Sequence, residues 1–253
     1  MISFGTSLII SPHFDDACYS IGGTLIRDKY FDEKIILTIF TKSRYTAYNI
    51  NLDEDIISQL REQEDIDFCK AIGAVQICLD YPDASSRNDE IFCNKHINEC
   101  IVPYIEIIDS ISRVLYEIIH FLANNRDLKT IFVPLAVGNH IDHIIAYYSF
   151  IRLIKENKLS KMIKYVIFYE DLPYASNYDL NGLDFIIRER MDLLRRNVES
   201  LIIDISDMID KKLKLMRLYK TQTTDEILNE IYYHAKRLAM SEGQFMERLW
   251  LVA

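Results

Sequence analysis

In the stretch LIISPHFDD at residues 8–16, an apolar segment is followed directly by a proline, a histidine and, after one phenylalanine, two adjacent aspartates. An uninterrupted apolar segment of this kind is typical of a strand that is buried on both faces of a parallel sheet. Carboxylates at the end of such a strand lose hydration and repel each other unless a positive group lies between them. The stretch therefore predicts a central strand that ends in a charged site.

Short β-branched segments recur along the chain and alternate with longer stretches that carry apolar residues at helical spacing. The predicted strands are 7–11, 34–41, 74–80, 130–135, 164–170 and 199–206, and the predicted helices are 56–72, 97–122, 142–156, 208–219 and 226–240. This alternation predicts an α/β fold, a Rossmann-like and mostly parallel sheet with helices on both faces. No linker rich in Pro, Gly or Ser interrupts the pattern, so we expect a single domain over residues 1–253.

The composition excludes several classes of protein. A chain of 253 residues with 49% apolar and 26% charged residues is expected to be globular. Its net charge of −9 opposes nonspecific nucleic-acid binding, which relies on clustered Lys and Arg. We find no signal peptide and no apolar run near the roughly 20 residues of a membrane span. A cytoplasmic protein without a membrane span is expected, and a homo-oligomer stays open.

Five cysteines, odd in number and irregularly spaced, predict reduced thiols rather than a disulfide framework. In CNKHINEC, residues 93–100, two of them flank a histidine, but a second ligand pair for a metal is missing. The sequence reveals no carboxylate partner for His96, His120 or His234. We expect these three to be ordinary helix residues.

A second polar cluster, PLAVGNHIDH at residues 134–143, follows the fourth predicted strand. His140 and His143 lie roughly one turn apart at the start of a predicted helix. Ligands of open α/β sheets bind outside the carboxyl ends of the strands. If the first and fourth strands are close, one crevice receives His13, Asp15, Asp16, His140 and His143. Imidazole and carboxylate donors with one open position are what a catalytic zinc site requires.

Each cluster by itself has a simpler explanation. A lone histidine at a strand end is most often a surface residue, and aspartates after a strand often cap helices or form turns. Asp15 or Asp16 would then cap a helix that begins near Ala17, and Asp142 would cap the later helix. Three of the six histidines fall in the two short segments, however, and this coincidence favours a site.

SPHFDDACYSIGGTL together with GNHIDH resembles the zinc-dependent N-deacetylases known as PIG-L or LmbE-like proteins. The first motif of that family is Pro/Ala-His-x-Asp-Asp and the second is His-x-x-His. Further matches follow in order over nearly the whole chain: LREQEDIDFCKAIGA (60–74), LDYPDASSR (79–87), FYEDLPYA (168–175), LYKTQ (218–222) and ERLW (247–250). Ala17 stands where many members have Glu, as in one bacterial branch, and Phe14 replaces the commoner Pro. These departures do not change the metal-ligand positions of the two motifs, but they leave the identity of the substrate open.

The resemblance implies a role for each residue of the two motifs. The metal ligands correspond to His13, Asp16 and His143, with zinc as the expected ion and Fe²⁺, Co²⁺ or Mn²⁺ as alternatives. Asp15 matches the general base that activates the attacking water. His140 matches the residue that polarises the carbonyl or protonates the leaving amine, and Asp142 would orient it. The implied reaction removes an acetyl group from an N-acetylated amino sugar or a glycosylated small metabolite.

Substrate contacts are expected from polar residues in the other matched segments, namely Arg61, Asp83, Arg87, Tyr169 and Glu170. Such groups grip a sugar through charge-assisted hydrogen bonds. An exposed ion pair with Glu64 or Asp65 is the alternative for Arg61. Shaping the loop around Pro173 is the alternative for Tyr169 and Glu170.

Two other functions remain open at this point. Paired aspartates after a strand could hold Mg²⁺ for phosphoryl transfer, but the histidines oppose this because Mg²⁺ prefers oxygen ligands. A noncatalytic member of the family could bind a ligand only. The presence of Asp15 and His140 beside all three ligand positions disfavours that reading, because a binding module needs neither.

Overall fold

A seven-stranded sheet forms the centre of the computed structural model, which describes residues 3–48, 52–159, 161–194, 196 and 198–252. The strands are β1 (Gly5–Ser11), β2 (Phe31–Lys42), β3 (Ala74–Pro82), β4 (Leu128–Pro134), β5 (Tyr165–Tyr169), β6 (Val198–Asp204) and β7 (Met246–Val252). Their order is β3-β2-β1-β4-β5-β7-β6. Strands β1 to β5 run parallel, whereas β7 is antiparallel to both β5 and β6. The predicted α/β class with a mostly parallel sheet is confirmed.

Helices connect the strands. They are α1 (Asp16–Leu25), α2 (Glu54–Ile72), α3 (Ala84–Arg87), α4 (Ile97–Cys100), α5 (Ile105–Asn125), α6 (Ile141–Lys155), α7 (Leu180–Asp192), α8 (Ile209–Met216) and α9 (Asp225–Arg237). Right-handed crossovers place α1 and α2 on one face of the sheet and α5 and α6 on the other. In agreement, α5 packs on α6 and α1 packs on α8. None of the helices in the described part of the chain could cross a membrane.

Four elements have no counterpart among the predicted strands and helices, namely α1, α3, α7 and β7. Every residue of α1 is buried, so this helix shows no polar face that would reveal it. The predicted helix 97–122 is divided into α4, a 3₁₀ turn at Val102–Tyr104 and α5. Pro103 lies in that break, where it removes a backbone donor and disfavours the helical conformation of the residue before it.

Strands β1 and β4 are neighbours, and the chain departs from them in opposite directions across the sheet. Ile9 lies opposite Phe132 in their ladder, so Ser11 and Pro134 end the two strands side by side. Apart from Gly5, every residue of β1 is buried. The two polar clusters that follow β1 and β4 therefore meet at the switch point, where open α/β sheets bind ligands.

The prediction of reduced thiols is wrong for two of the five cysteines. Cys93 and Cys100 form a disulfide whose Cα atoms are 6.0 Å apart. The loop before α4 folds back on that helix, a juxtaposition that irregular spacing in the sequence does not reveal. These sulfurs are bonded to each other, so CNKHINEC is not a metal site, and cysteine chemistry no longer supports the predicted cytoplasmic location. The cysteines that remain free are Cys18, Cys69 and Cys78.

Asp65 links helix α2 by hydrogen bonds to strand β3 and to Tyr219. Its carboxylate accepts hydrogen bonds from Gln76 Nε2 in β3 at 2.6 Å and from Tyr219 Oη at 2.8 Å. The side chain has no exposure to solvent. Burial is the main cause that raises the pKa of Asp65 to about 7, against the opposing effect of these two donors.

This raised pKa predicts a pH-dependent stability. The folded protein holds the Asp65 proton more tightly than the unfolded chain does. The stabilisation of the folded state by Asp65 is therefore complete below pH 3.8 and is lost as the pH rises through about 7. The free energy of unfolding of the wild type should fall by on the order of 4 kcal/mol between pH 4 and pH 8. We expect Asp65→Asn to abolish this fall.

Urea unfolding at a series of pH values measures this difference. Asp67→Asn, at an exposed position of the same helix, is the matched control and should keep the wild-type profile. Parallel profiles for wild type and Asp65→Asn would show that folding does not change the pKa of Asp65 and would contradict the prediction.

Candidate active site

A cavity of about 210 Å³ opens at the carboxyl ends of β1 and β4. Polar residues from both motifs and from three other segments line it, namely His13, Asp15, Asp16, His140, Asp142, Arg61, Asp83 and Gln222. Its apolar lining includes Ile91, Phe92, Pro173 and Tyr174. The convergence of the two polar clusters is thus present in the structure.

Three side chains of the cluster converge on one point. Asp16 Oδ2 lies 3.1 Å from His13 Nδ1 and 3.3 Å from His143 Nε2. Two ligands of a tetrahedral zinc ion, each about 2.1 Å from it, lie roughly 3.4 Å apart. His143 Nε2 is buried and makes no hydrogen bond of acceptable geometry with the described residues. An unsatisfied buried imidazole nitrogen beside a carboxylate oxygen fits a metal ligand, so this trio fits a divalent metal ion.

The turn that carries the first motif is fixed by hydrogen bonds. The Oγ of Ser11 donates to the His13 carbonyl at 2.6 Å and accepts from the Ala17 amide at 3.1 Å. Asp16 accepts from the His13 amide at 2.7 Å. Asp15 occupies the N-cap position of α1 but makes no capping hydrogen bond with its side chain. The simpler capping explanation is therefore wrong for both aspartates.

The second motif begins helix α6 through a histidine. His140 is the N-cap, and its Nδ1 accepts from the Asp142 amide at 3.2 Å. The neutral ring therefore carries its proton on Nε2. Burial, aided by the neighbouring His13, lowers the pKa of His140 well below its usual range. His140 thus presents a neutral imidazole at the cavity, with Nε2–H as donor.

A buried carboxylate stands behind each of the two histidines that face Asp16. Asp142 Oδ2 lies 3.0 Å from His13 Nε2, and Asp171 Oδ1 lies 2.6 Å from His143 Nδ1. Such partners fix the tautomer and the orientation of ligand imidazoles. Although burial acts the other way, the carboxylates raise the pKa of His13 to about 9 and that of His143 to about 10.

Asp142 does not orient His140, and this expectation is corrected. The Oδ2 of Asp142 lies 4.0 Å from His140 Nδ1. The Asp142 oxygens instead accept from His13, from the Ala84 amide at 2.9 Å and from Arg87 Nη2 at 2.7 Å. Although burial raises it, His13, together with His140 and Arg87, holds the pKa of Asp142 well below its usual range.

Arg61 lies buried between two cavity carboxylates. Its Nη2 is 3.6 Å from Asp15 Oδ1, and its Nη1 is 3.7 Å from Asp83 Oδ2. The alternative of an exposed ion pair is wrong, because the Arg61 side chain is only 4% exposed. Burial and the neighbouring Asp16 raise the pKa of Asp15, and Arg61 opposes this shift.

Three predicted substrate contacts lie outside the cavity lining. Arg87 stands behind Asp142 and also donates to the Pro82 carbonyl at 2.6 Å. Tyr169 Oη donates to the Ile10 carbonyl at 2.7 Å. Both side chains are engaged by protein groups, so their predicted contact with substrate is corrected to a supporting role.

Glu170 is the third of these residues, and its carboxylate is also occupied. It accepts from His234 Nε2 and Trp250 Nε1, each at 3.1 Å, and pairs with Arg248. His234 therefore has a carboxylate partner, contrary to expectation, and His96 pairs with Glu189 at 3.0 Å. The sequence separates these partners too far for pattern reading to join them.

Asp171 is the functional residue that reading the sequence missed. It adjoins Glu170 in the segment FYEDLPYA, so the choice between the two acids decides the assignment. Successive side chains of an extended chain point in opposite directions. Glu170 turns toward His234 and Asp171 toward His143, and only knowing which side His143 occupies could have decided between them.

Comparison with known proteins identifies the family. The family model described as PIG-L, GlcNAc-PI de-N-acetylase, matches residues 8–154, a span that contains both motifs. The chain belongs to the PIG-L family. The resemblance seen in the sequence is therefore confirmed.

Individual relatives agree with this membership. A 2'-N-acetylparomamine deacetylase of Streptomyces fradiae is 27% identical over 236 residues, which cover 92% of this chain and 79% of that protein. A deacetylase of the teicoplanin biosynthesis pathway shares the fold with a TM-score of 0.71, at 18% identity and 98% coverage of both chains. The N,N'-diacetylchitobiose deacetylase of Pyrococcus horikoshii has a TM-score of 0.63 at 16% identity, covering 98% of this chain and 84% of its own. The predicted hydrolytic N-deacetylase of the PIG-L family is confirmed.

The position of Asp171 generates a prediction about metal affinity. Asp171→Asn keeps the shape of the side chain, but its amide cannot accept from both His143 Nδ1 and the Val137 amide, as Asp171 does. Loss of such a partner typically costs about 10–100-fold in metal affinity. We expect this loss in a competition titration of zinc against a chromophoric chelator.

Glu170→Gln is the matched control, because the neighbouring carboxylate faces His234 instead of the metal site. This control should be less stable than wild type and should bind zinc with unchanged affinity. Equal zinc affinities for wild type and Asp171→Asn would contradict the assigned role.

Proposed function

We propose that this protein is a zinc-dependent N-deacetylase that removes an acetyl group from an amino sugar carried by a small glycosylated metabolite. The observation that carries the proposal is the position of Asp15. It lies in the cavity beside the His13–Asp16–His143 trio, and its carboxylate caps no helix. A carboxylate that lies beside a metal site without being one of its ligands is the arrangement that metal-assisted hydrolysis of an amide needs.

His13, Asp16 and His143 would hold the zinc ion. Bound there, zinc supplies Lewis acidity that polarises the acyl carbonyl and makes water more acidic. Two nitrogen donors and one oxygen donor support zinc over Mg²⁺, and they also admit Fe²⁺, Co²⁺ or Mn²⁺. Metal analysis of the purified protein tests this choice.

Asp15 would act as the general base. It takes a proton from the attacking water while the water oxygen bonds to the acyl carbon. Arg61, 3.6 Å from the Asp15 carboxylate, opposes the effect of burial and helps to keep it ionised. The C–N bond then breaks as the oxyanion re-forms the C=O bond, its electron pair goes to nitrogen, and the proton that Asp15 took from water passes to the amine. His140 would assist through Nε2–H, which can donate to the oxygen or nitrogen of the amide.

The size of the cavity supports a small reacting group. A volume of about 210 Å³ is below the roughly 300–1,000 Å³ of pockets that enclose drug-sized ligands. One acetamido sugar ring would enter, with Arg61 and Asp83 as partners for its hydroxyls. The rest of the metabolite would lie at the entrance, where Tyr45 and Phe92 are about half exposed. The names of the relatives, which point to amino sugars and glycosides, support this substrate class.

Removal of the general base is the first test. We expect Asp15→Asn to lower kcat by roughly 10²–10⁴-fold, because the attacking water loses its proton acceptor. Bound zinc should remain equimolar with protein, since Asp15 is not among the proposed ligands. Acetate release from 2'-N-acetylparomamine and N-acetylglucosamine measures the rate, and elemental analysis measures the metal.

Asp32→Asn, at an exposed carboxylate at the amino end of β2 and so at the opposite edge of the sheet from the cavity, is the control and should keep the parental rate. An Asp15→Asn protein that binds zinc and deacetylates at that rate would exclude Asp15 from the mechanism.

Metal removal separates the proposal from phosphoryl transfer. Dialysis against dipicolinate should abolish deacetylation, and stoichiometric zinc should restore it, because His13 and His143 prefer zinc to an oxygen-seeking ion. Magnesium should restore nothing. Recovery of a phosphatase activity by magnesium would instead favour the second candidate, and a metal-replete protein that hydrolyses no N-acyl sugar would favour a noncatalytic member.

A further inference from the structure

Tyr174 lines the cavity, and its hydroxyl has no hydrogen-bond partner among the described residues. The residue is half-buried, and its hydroxyl is not among the fully buried polar atoms that lack a partner. Four buried tyrosines of the core instead use their hydroxyls within the protein: Tyr19 with Thr223, Tyr147 with Arg190, Tyr169 with Ile10 and Tyr219 with Asp65. The hydroxyl of Tyr174 is therefore available to a ligand in the cavity.

The segment around Tyr174 is held firmly on both sides. The Ala175 amide donates to the Asp171 carbonyl at 2.8 Å, and Arg237 Nη2 donates to the Ala175 carbonyl at 2.8 Å. The Leu172 amide donates to Ser20 Oγ at 3.1 Å. A side chain on such a segment keeps its position at little entropic cost, as positioning groups of active sites require.

The ring of Tyr174 lies against both histidines of the second motif. Its centroid is 5.3 Å from that of His143, edge to face, and 5.8 Å from that of His140. Gly138 makes this position accessible, because a Cβ there would lie 2.5 Å from Tyr174 Cβ. The φ of Gly138 is +85°, and Ala136 nearby also has positive φ. Backbone conformations of this kind persist where the surrounding structure requires them.

We propose that the Tyr174 hydroxyl donates a hydrogen bond to the acyl oxygen of the substrate as that oxygen becomes the oxyanion of the tetrahedral intermediate. This role rests on the proposed deacetylation. When water attacks, the π electrons of the carbonyl move onto oxygen while Asp15 receives the proton. A fixed neutral donor stabilises that developing charge more than it stabilises the ground-state carbonyl. The histidines beside Tyr174 are those assigned to the metal and to the amide, which puts its ring at the reacting end of the cavity.

Tyr174→Phe tests the role. We expect kcat and kcat/KM to fall together by on the order of 10²-fold, as for the loss of one oxyanion donor. KM, bound zinc and Tm should stay at wild-type values, because the hydroxyl has no protein partner to lose. Affinity for a phosphonamidate analogue of the tetrahedral intermediate, measured by calorimetry, should fall in the same ratio, whereas affinity for the amine product should not change.

Tyr147→Phe is the matched control. Its hydroxyl donates to the Arg190 carbonyl at 2.5 Å and does not line the cavity. This variant should lower Tm and keep kcat, the reverse of Tyr174→Phe. Gly138→Ala should displace the Tyr174 ring and reduce kcat. Combined with Tyr174→Phe it should add little to the loss, which a double-mutant cycle measures.

Each remaining outcome has a distinct meaning. A rise in KM alone would assign Tyr174 to ground-state binding of the sugar, and loss of zinc would assign it to support of the metal site; either would overturn the proposal. Unimpaired turnover by Tyr174→Phe would overturn it while leaving the deacetylase function intact. A wild-type protein that hydrolyses no N-acetyl amino sugar would refute the deacetylase function and, with it, the role of Tyr174.

Discussion

Charge compensation among buried carboxylates is the constraint on which the site depends. Asp142, His13, Asp16, His143 and Asp171 form an alternating chain with successive separations of 3.0, 3.1, 3.3 and 2.6 Å. Arg87 supplies one positive charge beside Asp142, and protonated imidazoles or a divalent ion held between them would supply the rest. Either source lessens the electrostatic cost of burying these carboxylates.

A buried carboxylate away from the cavity is also paired with a positive charge, and this pair helps to position the site. Glu247 in β7 accepts from the Gly23 and Thr24 amides of α1 at 2.8 and 2.7 Å. Lys212, which has no solvent exposure, supplies the opposite charge at 2.8 Å. This buried pair attaches α1 to the sheet, and α1 begins at Asp16. A carboxylate near the carboxyl end of the chain thus steadies a proposed metal ligand close to its amino end.

Much of the fold could be predicted because its physical causes are local in the sequence. Continuous apolar runs mark strands buried in a parallel sheet, and both polar motifs directly follow such runs. The adjacency of β1 and β4 then follows from the topology of the sheet. Elements without a local pattern were missed, as with α1, which is buried on every side, and the Cys93–Cys100 pair, which a loop brings together.

The sequence by itself determined which residue types reach the carboxyl edge of the sheet, because a strand followed at once by His and Asp must deliver them there. Only the tertiary structure decided their partners. Asp142 contacts His13 instead of its sequence neighbour His140, and Asp171 rather than Glu170 faces His143. Pairing across the crevice depends on the direction in which each side chain leaves its own backbone. That direction is set by packing between segments more than a hundred residues apart, such as those of His13 and Asp142.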